Sequence, residues 1–220
     1  THVKLGANMI PFAGWELPVW YSSVLEEHNA TRTAAGLFDV THMGVFQCEG
    51  PDAAVFLDSV SGNDTIFLEI GESVYSHFLD PHGKVIDDFI IYRRDEDRYL
   101  LVVNAANEEK DWAWLTAVKN GEVLVDLEKP WVKVPGRKCV LRNLKDPAAG
   151  EDQFVTLAIQ GPASRDILLS LACDHCNDHK IMRLGRGELC DSRLGNIPVI
   201  ISRTGYTGEA LGFEVFVHPD

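Results

Sequence analysis

Residues 74–107 read VYSHFLDPHGKVIDDFIIYRRDEDRYLLVVNAAN, and the fold turns on this stretch. Asp80-Pro81-His82-Gly83 has the residue types of a tight turn, and residues 93–98 supply a second, polar one. Between them, residues 84–92 are rich in β-branched and aromatic side chains, as a strand requires. The pattern predicts three antiparallel strands followed by the start of a helix. Two adjacent carboxylates, Asp87 and Asp88, interrupt the middle strand. Successive strand side chains point to opposite faces, so Asp88 goes with Ile90 and Tyr92, and Asp87 with Phe89 and Ile91. One of the two therefore faces whatever the sheet packs on. Burying an aspartate is costly unless it is paired or does chemistry, so this misfit is the functional lead.

Working outward toward the N-terminus, residues 1–21 hold two prolines and four aromatics and read as an irregular, packed arm. Ser23 with Glu26 three residues on has capping-box spacing, and Gly36 is expected to stop the helix that follows. Residues 37–44 lead into a strand ending near Gly50, and Pro51 opens a helix running to Ser61. In the other direction, residues 105–119 read as a helix stopped by Asn120-Gly121, and residues 122–127 as a returning strand. Residues 129–152 are polar, with three prolines, and read as a connecting loop or insertion. A second unit follows, with a strand over 154–160 and a helix from Pro162 to about Leu171. A hairpin over 186–194 and 197–203 and a last strand over 213–217 complete it. The expected fold class is α+β, with two mixed or antiparallel sheet units and packed helices. The expected domains are residues 1–128, a connection over 129–152, and an incomplete second domain over 153–220.

The 220 residues suffice for a sizeable core, and 45% hydrophobic and 9% aromatic content is ordinary for a globular chain. A net charge of −13 argues against nucleic acid as the main partner. No apolar run reaches the roughly 18 residues of a membrane span. Five cysteines, an odd number, point to reduced thiols and an intracellular address. Cys173, Cys176 and His179 have the spacing of half a zinc site, but no second pair follows, and a polar loop without metal is expected.

Three further motifs carry candidate chemistry. Asp87-Asp88 suits a general base, an electrostatic partner for a developing cation, or a metal ligand. Residues 202–209 (SRTGYTGE) follow a strand, with glycines that admit close approach, a flat Tyr206 and an anion-matched Arg203, but they lack the ending of a phosphate loop. A tight turn with a packed tyrosine is the competing reading. Asn104 to Asn107 stands at a strand-to-helix junction, where capping is the expected role. An asparagine amide can also read a ring bearing adjacent donors and acceptors.

Taken together, residues 5–7 (LGA), 12–15 (FAGW), 36–44 (GLFDVTHMG), 85–88 (VIDD), 102–107 (VVNAAN), 160–163 (QGPA) and 202–209 resemble the aminomethyltransferase (T-protein) family of the glycine cleavage system. They occur in family order and cover nearly the whole chain. The resemblance implies a tetrahydrofolate-binding fold with a ferredoxin-like second unit, continued in full-length members by more of that domain and a small β-barrel beyond residue 220. It implies that Asp88 approaches the folate near its reacting nitrogens, and that Asn104 and Glu214 read the pterin. Met43, Tyr75, Tyr92, Val102 and Tyr206 fall on positions that wall or stack on the folate.

The implied reaction takes an aminomethyl group from the lipoyl arm of the H-protein and releases ammonia. The implied location is the cytoplasm, or the mitochondrial matrix in a eukaryote. Three departures stand out: residues 209–214 (EALGFE) are one residue longer than the family run, the 129–152 and 173–179 segments are longer and more polar, and Gln47 takes a position often apolar. Relatives of the same superfamily demethylate small oxygen, sulfur or nitrogen substrates. Others are non-catalytic folate-binding factors for iron–sulfur assembly or tRNA modification, which carry a Lys-Gly-Cys-type motif. The chain is expected to be inactive, or weakly active, without the later parts.

Overall fold

The computed structural model describes residues 1–132, 138–172 and 175–220, with the side chains of 175–178 excepted. The chain opens with strands β1 (Asn8–Phe12) and β2 (Trp15–Trp20), helix α1 (Val24–Thr33) and strand β3 (Gly36–Asp39). There follow β4 (Gly44–Glu49), α2 (Ala53–Val60), β5 (Ser73–Leu79), β6 (Val85–Asp95), β7 (Arg98–Val103), α3 (Glu108–Lys119) and β8 (Val140–Asn143). The last part contains β9 (Val155–Gln160), α4 (Ser164–Leu171), α5 (His175–Arg183), β10 (Leu189–Leu194), β11 (Ile197–Ser202) and β12 (Gly212–Val217). Among the described residues no helix is long and apolar enough to cross a membrane.

Two compact units emerge. One comprises residues 43–154 with 187–189 and 218–220; the other comprises 1–42, 155–186 and 190–217. The expected boundaries at 128 and 152 follow chain order, whereas the units interleave. The cause is β3, which pairs with β9 through Gly36↔Gln160 to Asp39↔Leu157 and so ties an early segment to a late sheet.

In the first unit five strands lie in the order β5-β6-β7-β4-β8, and every adjacent pair is antiparallel. The meander read from residues 74–107 is present. Asp80 Oδ1 accepts from the backbone N–H groups of His82 (2.8 Å) and Lys84 (2.9 Å), and Gly83 takes a positive φ of 74°, which glycine tolerates without strain. Phe46, Cys48, Phe78, Phe89, Ile91, Tyr99, Leu101 and Val103 line one sheet face and meet Phe56 and Leu57 of α2 and Leu115 and Val118 of α3. Burying each such side chain contributes about 1.5–3 kcal/mol.

Two expectations for this unit fail. Residues 122–127 form bends and irregular backbone, not a strand, and Val123 and Val125 pack on the core without joining the sheet. The strand beside β4 is β8, from inside the supposed connection: Phe46↔Asn143 to Glu49↔Val140 satisfy an edge that would otherwise expose its polar backbone.

The other unit carries the sheet β10-β11-β12-β9-β3 and the hairpin β1-β2. The irregular arm expected over residues 1–21 is in fact a short 3-10 turn (His2–Leu5) and this hairpin. Pro11 and Pro18 are tolerated because in a two-stranded ribbon both strands are edges. Ala13 and Gly14 make its turn with φ of 47° and 81°. Ser23 caps α1, accepting from the Glu26 N–H at 3.2 Å, as the sequence predicts. Gly36 does not stop that helix. It begins β3, where a Cβ would lie 2.4 Å from Thr31 Oγ1.

Candidate functional site

The pairing register sets which face each site residue occupies. Tyr75 opposes Ile90, Ile90 opposes Val102, and residues directly opposite share a face. By alternation Asp88 and Tyr92 join them, so Tyr75, Asp88, Tyr92 and Val102 stand on one face of the β5-β6-β7 meander. Asp87 opposes Phe78 and stands on the other face, with Phe89 and Ile91 against the helices. Of the two adjacent carboxylates, the buried one is Asp87, at 6% exposure.

Asp88 is half-buried and doubly held. Its Oδ2 accepts from the Tyr75 hydroxyl at 2.8 Å, and its Oδ1 accepts from Asn104 Nδ2 at 3.1 Å. Donating to Asp88 makes the Tyr75 phenol harder to ionise, and its pKa is raised above the ordinary tyrosine value. Tyr75 remains exposed apart from this contact.

Asn104 follows the last residue of β7 and is half-buried. Its Nδ2 faces both Asp87 oxygens (3.2 and 3.3 Å), the Asp88 backbone carbonyl (3.0 Å) and Asp88 Oδ1. Asn107 Nδ2 donates to Asp87 Oδ1 at 2.6 Å. The capping role expected for these asparagines is therefore not the one observed: each occupies a helix N-cap position, and neither makes a side-chain cap bond. The buried Asp87 outcompetes the cap because a carboxylate taken from water needs charge-assisted donors.

Asp111, on the first turns of α3, is fully buried. Burial, a hydrogen bond with Asp87 and the Asp87 charge push its carboxyl up to about 8. Neither Asp111 oxygen meets an N–H or hydroxyl donor among the described residues, which is consistent with a neutral acid acting as the donor toward Asp87. Sequence reasoning singled out the Asp87-Asp88 pair and the Asn104–Asn107 run without joining Asp87 to Asn107, and it did not consider Asp111. The signal for Asp111 was present: it falls at i, i+4, i+7 spacing with buried Leu115 and Val118, a carboxyl on an apolar stripe.

The other expected residues divide. Met43 is half-buried just before β4, and Tyr92 and Val102 are closed from solvent at 0% and 2% exposure. Gln47, also buried, donates through Nε2 to Glu49 at 2.8 Å, which accounts for a polar group there. Tyr206 and Glu214 belong to the other unit. Glu214 is fully buried in β12 and accepts from the Thr204 hydroxyl, which also bonds Ser202.

Tyr206 is exposed in the loop after β11, a loop wrapped around Gln160. Gln160 Nε2 donates to the carbonyls of Thr204 and Phe213, and a Cβ at Gly205 or Gly212 would overlap its amide. The longer 209–214 run is anchored by Arg32, which pairs with Glu209 and donates to the Thr207 carbonyl. Cys173 and the side chain of Cys176 lie outside the described residues, so the half zinc site does too; among the described residues no metal-ligand cluster forms.

The family model described as the GCVT N-terminal domain matches residues 1–220. An aminomethyltransferase of Symbiobacterium thermophilum is 43% identical over 98% of this chain and 52% of its own length. One from Bacillus cereus is 40% identical over 98% of this chain and again 52% of its own. A crystal structure of glycine cleavage system aminomethyltransferase T from Bartonella henselae superposes with a TM-score of 0.77 at 34% identity, covering 98% of this chain and 51% of that one. The chain thus spans about half the length of the relatives it matches. It belongs to the GCVT family.

Proposed function

We propose that this member of the GCVT family serves a tetrahydrofolate-dependent aminomethyltransferase, moving a one-carbon unit from an aminomethyl-lipoyl carrier, the H-protein, to tetrahydrofolate with release of ammonia. The observation that carries the reading is Asp88, a carboxylate half-open to solvent and fixed from both sides by Tyr75 and Asn104. The residues present suit a reduced pterin. Asn104 spends its amide hydrogens on Asp87 and Asp88, so its carbonyl remains to accept a ring N–H, and exposed Tyr75 offers an aromatic face.

Tetrahydrofolate, when bound, supplies the nitrogens that take up the carbon. The chain supplies orientation and charge. Asp88 is preorganised, so it stabilises positive character at the transferred group without reorganising, and it forms no covalent bond. Tyr75, by donating to Oδ2, fixes which lone pairs of Asp88 face outward. The parts proposed for Tyr206 and Glu214 in holding folate rest on the resemblance alone. The proposed place of action is the cytoplasm, or the mitochondrial matrix in a eukaryote.

Anaerobic titration of tetrahydrofolate into the protein and into Asp88→Ala tests this reading. Binding weakened about tenfold or more by the substitution is expected, the cost of one charge-assisted hydrogen bond. Equal binding by both proteins would remove folate from Asp88. Turnover then separates donors: ammonia and methylenetetrahydrofolate from the lipoyl carrier support aminomethyl transfer, whereas methyltetrahydrofolate from a small methylated compound would replace it with demethylation.

A further inference from the structure

Two buried carboxyls stand behind Asp88 without a role in the transfer. Asp87 is 6% exposed and Asp111 is fully buried, on an α3 stripe whose neighbours Leu115 and Val118 belong to the core. An apolar residue at 111 would cost the fold less, because an uncompensated carboxylate in such a place is expensive. Both Asp111 oxygens are buried and meet no N–H or hydroxyl donor among the described residues; the neighbour that acts on them is the Asp87 carboxyl, and two carboxyls meet stably when one proton lies between them. Asp87 then receives donors from Asp111, Asn107 and Asn104 together.

The consequence falls on Asn104. Its inward side meets acceptors only: two Asp87 oxygens, the Asp88 carbonyl and Asp88 Oδ1. With the amide reversed, a carbonyl oxygen would be set against all four. We propose that Asp87 and Asp111 share one proton and form a positioning pair that locks the Asn104 carboxamide with its nitrogen inward, leaving its oxygen to select a ligand that presents N–H donors. The ligand side of this inference rests on the folate reading above; the pair itself does not.

The charged groups acting on Asp111 are Asp87 and Asp88 from β6 and Lys110 from its own helix, whose ammonium also donates to the Ile86 carbonyl. Burial is the largest influence and holds the proton on until about pH 8. Above that, a second negative charge repels Asp87 and the clamp on Asn104 loosens.

The test follows the side-chain amide resonance of Asn104 in the unliganded protein, identified by its loss in Asn104→Asp, between about pH 6 and 9. Tetrahydrofolate affinity is measured on the same samples. The resonance is expected to step near pH 8 in the parent and to stay put in Asp111→Asn, whose amide is a permanently neutral donor. At pH 7, Asp111→Asn should bind within about twofold of the parent and Asp87→Asn about tenfold more weakly.

A merely structural role would lower the melting temperature without the pH step. No step in the parent, the same step in Asp111→Asn, or parental affinity in Asp87→Asn would each overturn the proposal. If Asp87→Asn does not fold, the isosteric Asp111→Asn carries the test. A clear step in a parent that binds no tetrahydrofolate would support the pair and overturn the folate reading.

Discussion

Replacing Asp111 by asparagine should change how stability depends on pH, and the size of the change follows from linkage. In the folded chain Asp111 keeps its proton up to about pH 8, against an ordinary value of 3.8. Between those limits the folded state holds a proton that the unfolded state releases. Stability therefore falls as pH rises through the window and levels off above the folded value. At about 1.4 kcal/mol per unit, the full window is worth roughly 6 kcal/mol as an upper limit. Relaxation around a buried charge reduces such figures, so about 2–3 kcal/mol is the expected loss.

Asp111→Asn is neutral in both states and escapes the loss. The two proteins should match near pH 4, and the variant should pull ahead steadily to pH 8. Urea unfolding at several pH values, followed by tryptophan fluorescence, reads the difference. Trp112, packed on Phe46 at 5.0 Å between ring centroids, and Trp114 report on this unit from α3 itself. Other titrating groups cancel in the difference between the two proteins. A difference that is flat across pH, or that favours the parent as pH rises, would refute a protonated Asp111.

Other predictions rest on packing. Gly161→Ala should cost about 3 kcal/mol or more: Gly161 has a φ of 120°, and a Cβ would lie 2.3 Å from the Thr31 carbonyl oxygen. A fall in melting temperature worth less than about 1 kcal/mol would contradict that crowding. Phe78→Ala should cost about 3–5 kcal/mol in urea unfolding, since the ring is fully buried and stacks on Phe89 at 3.7 Å. Lys145 and Glu108 pair at 2.9 Å with side chains only 10% and 19% exposed. Glu108→Ala should cost about 3 kcal/mol, whereas Glu108→Met with Lys145→Met should recover most of it; equal losses in both would show that the charge pair itself stabilises.

What the sequence made legible was whatever local rules determine. The Asp80–Gly83 turn, the meander and the Ser23 cap each depend on neighbours a few residues apart, and all three are present. β8 was hidden because Val140–Asn143 is four residues long and becomes a strand only by meeting the β4 edge. The N-terminal hairpin was hidden by Pro11 and Pro18, which break central strands but not a two-stranded ribbon. At the site, alternation showed that one of Asp87 and Asp88 must turn inward but not which one; the register opposite Phe78, the burial of Asp87 and its bond from Asn107 settle that. Asp111 was camouflaged among Glu108 and Glu109, acids that suit a helix start for a different reason. Asn104 and Asn107 look like caps until a buried carboxylate competes for their amides.

The pairing of β3 with β9 also bears on how the protein comes off the ribosome. Residues 43–154 supply nearly all of the helix-covered sheet and can collapse as soon as they emerge. Residues 36–39, made earlier, must wait for Val155–Gln160, and that sheet is complete only after β12. At about 5–20 residues per second, this leaves β3 unpartnered for on the order of ten seconds. During that interval Leu37 and Phe38 lack their β9 neighbours, while the five strands of the helix-covered sheet have already been made. A strand made early thus waits for a partner made late, and a ribosome-bound chaperone should dwell longest on the segment around residues 36–39.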